Sequence, residues 1–75
     1  SGIKVMQYLT IIEKTATGYS AYSPDLLGCV STGETYEEVD QNMREAIAFH
    51  LEGLRLEGYE IPQPSTLSTY IEVVA

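Results

Sequence analysis

Tryptophan is absent from this chain, phenylalanine and histidine occur once each, and a single cysteine stands at position 29. One cysteine excludes an internal disulfide, and a lone Cys beside a lone His offers no metal-ligand spacing. Cations are scarce too: four Lys and Arg face eleven Asp and Glu, for a formal net charge of −7 at pH 7. Phosphate contact needs clustered cations, so direct nucleic-acid binding is not expected. The charge suits a basic protein partner, or solubility alone. No apolar run is long enough to span a bilayer, and no charged, apolar and small-residue series reads as a signal peptide. Free Cys29 agrees with a reducing compartment, so a cytoplasmic location is expected.

Seventy-five residues make one domain, read here as 3–75, with Ser1-Gly2 set aside as an expression remnant. A core of this size needs support from a disulfide, a metal or a partner copy. With the first two excluded, self-association as a dimer or tetramer is the expectation, and no cofactor or metal is implied.

Taken in order, Val5–Lys14 is rich in β-branched and aromatic residues and predicts a strand. Thr15–Gly18 is a polar break before a second strand from Tyr19, as in a hairpin. Pro24 and Asp25 end that strand, Gly28 lets the chain re-enter, and Cys29–Thr32 forms a short third strand closed by Gly33. Thr35-Tyr36-Glu37-Glu38 matches a capping box, in which a hydroxyl and a carboxylate satisfy otherwise orphaned backbone N–H groups. Val39, Met43, Ala46, Ile47, His50 and Leu54 then recur at three- and four-residue steps, which predicts an amphipathic helix over 36–57 with Gly58 as its stop. Two prolines mark 59–65 as an extended connector, and Thr69–Val74 predicts a final strand. The fold class is α+β: three antiparallel strands, one long helix and one further strand.

Each reactive residue has a structural reading beside the chemical one. His50 lies in the apolar stripe without a neighbouring nucleophile or carboxylate, and reads as a packed, hydrogen-bonded residue at the core edge. Cys29 lacks a basic neighbour and reads as a small buried apolar side chain. Tyr8, Tyr19 and Tyr22 lack the positive groove that base stacking requires. Asp25, Glu34, Glu37, Glu38 and Asp40 raise the reading of a metal-dependent nuclease, but the last three point in different directions around one helix, so capping and a solvated face explain them better.

Three segments in fixed order, Tyr19-Ser20-Ala21-Tyr22-Ser23-Pro24-Asp25-Leu26-Leu27-Gly28-Cys29-Val30, then Gly33–Glu38, then Gly58–Ser65, resemble the HicB-like antitoxin family over nearly the whole chain. The resemblance implies a partial RNase H-like fold; nuclease activity is nonetheless not expected, because the sequence shows no set of carboxylates converging on metal ions. It also implies a non-enzymatic role: binding a small basic HicA-type toxin, an mRNA-cleaving ribonuclease, and blocking it. Leu27 stands where the family's loop usually has a second proline. Many members also append a helix-turn-helix or ribbon-helix-helix domain; these 75 residues contain none, so they are not expected to bind an operator.

The reading is therefore an antitoxin-like interaction module. Asp25, Glu34, Glu37 and Glu38 are its candidate partner-facing charges, and Pro24, Leu27, Gly28, Gly33 and Thr35 shape the turn and the helix start. The alternatives are an RNase H-like metal-dependent nuclease and a structural oligomer with no toxin partner.

Overall fold

The computed structural model describes residues 4–75; the expected Ser1-Gly2 remnant lies outside them. Three short strands form one antiparallel sheet in the order β1-β2-β3: β1 (Ile11–Lys14), β2 (Tyr19–Tyr22) and β3 (Val30–Gly33). A helix, α1 (Tyr36–Leu56), follows. This is the expected α+β order up to the helix. The hairpin closes where Gly18 was expected to turn, with the Thr15 N–H donating to the Gly18 carbonyl at 2.8 Å. In register, Ile11 faces Tyr22 on β2, and Tyr22 faces Val30 on β3.

The first strand is shorter than Val5–Lys14. β2 ends at Tyr22, just before Pro24, so the ladder has nothing to offer residues upstream of Ile11. The Leu9 carbonyl instead accepts from the Ser23 hydroxyl at 2.8 Å, which satisfies the buried Ser23 side chain.

The helix follows its sequence signals closely. Thr35 caps it, its hydroxyl accepting from the Glu38 N–H at 3.0 Å. The Glu38 carboxylate reaches back to the Glu34 N–H at 2.8 Å, one residue before the cap itself. At the other end Gly58 has φ 75°, and the Gly58 and Tyr59 N–H groups donate to the carbonyls of Arg55 and Leu54. That is the Schellman pattern, in which a left-handed glycine lets the chain turn back over the last helical carbonyls.

Val39 and Met43 anchor the helix against the sheet, buried with Ala21, Leu26 and Cys29. The approach is close: a Cβ on Gly33 would stand 2.5 Å from the backbone nitrogen of Val39. The 21-residue helix is about 30 Å long, whereas strands of this length span only about 10–13 Å. Its second half therefore outruns the sheet, leaving Phe49 82% and Leu56 72% exposed.

The expected final strand does not form. No residue from Tyr59 onward pairs in a ladder, and Leu67–Ala75 is exposed throughout. β-propensity needs a partner strand to become structure, and this segment lies against none. Residues 61–66 are tied down by side chains: the Tyr8 hydroxyl donates to the Pro62 carbonyl at 2.5 Å, and Lys4 reaches Gln63 at 3.5 Å. The radius of gyration is 14.5 Å, against about 11 Å for a compact chain of this length.

Candidate functional site

The family-like stretch from Ser23 to Val39 forms two corners of the sheet. The first is the turn between β2 and β3. The Leu26 N–H donates to the Ser23 carbonyl and the Cys29 N–H to the Leu26 carbonyl, both at 3.1 Å, and Gly28 sits at φ 81°. This turn buries Leu26 and Cys29 while Pro24 and Leu27 point outward, Leu27 95% exposed. The loop is thus fixed by its own hydrogen bonds and by Gly28, without a second proline at Leu27.

Asp25, in that turn, is committed to the chain itself. Its carboxylate accepts from the Ser65 N–H and hydroxyl at 2.9 and 3.1 Å, and from the Thr66 N–H and hydroxyl at 3.0 and 2.7 Å. These bonds, the Thr66 hydroxyl foremost, hold its pKa down at about 2. Desolvation, together with the Asp25 charge, pushes the Tyr8 phenol above its usual range.

The second corner is where β3 enters the helix. Tyr19 meets Tyr36 edge to face with ring centroids 6.3 Å apart, and the Lys14 ammonium lies 4.9 Å from the Tyr19 ring centre. A polar depression of about 450 Å³ opens here, lined in part by Thr17, Thr32, Glu34, Glu38 and Asn42. Asn42 donates to the Thr32 carbonyl at 2.9 Å. Glu34 and Glu37 are exposed, and among the described residues their carboxylates enter no hydrogen bond or ion pair.

The four acidic residues singled out in the sequence therefore do not form one rim. Asp25 sits at one end of β3 and Glu34, Glu37 and Glu38 at the other, about 10 Å of strand apart. Asp25 and Glu38 are used internally, and Glu34 and Glu37 remain free to face a partner. Among the described residues no three His, Cys, Asp or Glu side chains gather as metal ligands would. Asp40 is spent on Arg44, 2.8 Å away.

The remaining reactive groups are placed by packing. Burial pushes the Cys29 thiol up, away from the reactive thiolate. His50 is half-buried, but among the described residues its ring makes no hydrogen bond; it lines an apolar groove of about 520 Å³ between the start of β3 and the overhanging end of α1. Sequence reasoning missed this groove and the Ser65–Thr66 partners of Asp25. The mismatch of helix and strand lengths signals the groove, whereas the clasp spans forty residues and leaves no local pattern.

The model of the HicB-like antitoxins of bacterial toxin–antitoxin systems matches residues 8–74. The chain belongs to that family. An uncharacterised 14.9 kDa protein of Haemophilus phage HP1 is 41% identical over 66 residues, 88% of this chain and 50% of that protein. A UPF0150 protein from Synechocystis is 39% identical over 61 residues, 80% of this chain and 77% of its own length. The chain thus spans about half of the phage protein it matches. Among solved structures, a chain of the HicA3 and HicB3 toxin–antitoxin complex superposes with a TM-score of 0.69 at 39% identity, covering 79% of this chain and 69% of that one. The HicB3 antitoxin crystal structure gives 0.65 at 40% identity, over 76% of this chain and 42% of that one. No helix among the described residues is long and apolar enough to cross a membrane.

Proposed function

We propose that this chain is the toxin-binding module of an antitoxin: a cytoplasmic, non-enzymatic domain that docks on a small basic HicA-type toxin and blocks its cleavage of mRNA. The likeness to a chain of a toxin–antitoxin complex carries this reading, and the net charge of −7 supports it, since an acidic body is steered toward a basic partner. The strand-strand-strand-helix core serves as a partial RNase H-like scaffold without nuclease chemistry, because its carboxylates are dispersed or engaged in internal bonds. Glu34, in the lining of the polar depression, and Glu37, exposed on the first turn of α1, are the charges that meet the toxin. Pro24, Asp25, Leu27, Gly28, Gly33 and Thr35 hold the shape behind them. Self-association into a dimer or tetramer accompanies the role.

Co-expression with a HicA-type toxin from the same genome tests this. The wild-type chain is expected to restore growth and co-purify with the toxin, and Glu34→Lys with Glu37→Lys to weaken the complex by about tenfold or more, as reversal of charges facing a basic partner does. An unchanged complex would remove these residues from the interface, and absence of any complex would remove the function.

A further inference from the structure

The chain carries an exposed apolar arm and an exposed apolar groove, and neither covers the other. The arm begins where Asp25 fixes Ser65 and Thr66, so its root is set on the body while everything beyond is open to solvent. Leu67 is 93%, Ile71 76% and Val73 77% exposed, and Tyr70 and Val74 are fully so. The groove, about 520 Å³, lies between the start of β3 and the end of α1, with Val30, Phe49, Leu56 and Tyr59 each more than half exposed along it.

We propose that the arm, Leu67–Val74, docks into this groove on a second copy of the chain, and that the exchange is reciprocal. The inference rests on the self-association given under Proposed function and names the surfaces that produce it. Both halves of the contact are present on one chain, so a two-fold pair uses each twice and leaves no arm or groove over. Chemistry favours a second copy over a basic toxin. Within 67–75 the only charged side chain is Glu72, although the chain as a whole carries −7. The docking element is thus nearly neutral, which suits an apolar groove and limits repulsion between two acidic bodies.

The area suffices. An extended arm turns alternate side chains to one face, so Leu67, Ile71 and Val73 at roughly 100 Å² each, matched by similar groove area and doubled by symmetry, cover on the order of 1,200 Å², the lower end of the range of stable interfaces.

Sedimentation or light scattering of the full chain over about 1–100 µM, the range in which modest interfaces dissociate, tests the proposal. It is run beside Ile71→Asp/Val73→Asp in the arm and Phe49→Asp in the groove, all sites exposed in the single copy, with circular dichroism to confirm intact helix. The expected result is a wild-type dimer, at least tenfold weaker self-association in either variant, and partial recovery when the two variants are mixed, because one arm and one groove remain intact. A dimer that persists in both variants overturns the arm exchange and leaves self-association standing. A monomeric wild type overturns both. A monomer whose amides at 69–74 are protected from exchange also overturns the proposal, showing the arm folded onto its own body. Toxin binding retained by the arm variant supports two separate surfaces, and its loss with the dimer unchanged assigns the arm to the toxin and overturns the proposal.

Discussion

Asp25 shows how one side chain can organise a distant segment. Its four accepted hydrogen bonds join the β2–β3 turn to residues forty positions later. The carboxylate titrates at about 2 in the fold, below its ordinary 3.8. A depressed pKa contributes stability in full above the unfolded value, and that contribution is lost as pH falls toward the folded one. Thermal melts between about pH 4 and pH 2 should therefore show the wild type losing stability that Asp25→Asn never had, the two curves converging at the acid end; parallel curves would place the clasp elsewhere. Gly33 is set by contact instead of charge. Gly33→Ala would press its methyl against the Val39 backbone and should cost about 1–3 kcal/mol in denaturant unfolding.

At the scale of the element, the helix is the most self-contained part. Its first turn rests on the Thr35 cap, so Thr35→Ala should lower stability by about 1 kcal/mol, measured by urea unfolding. Both helix ends were readable because a cap and a Schellman glycine act within a few residues of themselves. Strands were less so. The hairpin and β3 follow local turn chemistry, but Val5–Lys14 pairs only over its last four residues, since strand length depends on what lies opposite. Thr69–Val74 has strand composition and no strand to join. The placement of the acidic residues was not legible for a related reason: sequence proximity of Asp25 to Glu34 says nothing of which end of β3 each occupies, nor that Asp25 would accept from Ser65 and Thr66.

Across the whole molecule, charge separates two associations the chain is proposed to make. Binding to a basic toxin joins opposite charges and should weaken as salt rises, whereas pairing of two acidic copies through apolar surfaces should hold or strengthen, because screening relieves their repulsion. Titrations at about 0.05 and 0.5 M salt, on either side of the physiological Debye length, should move the two dissociation constants in opposite directions; movement together would mean that one interface has been misassigned. RNA cleavage by a purified HicA-type toxin from the same genome, titrated with this chain, decides the proposed role. Cleavage should fall to background near stoichiometric chain, and cleavage unaffected by an excess would rule the antitoxin role out.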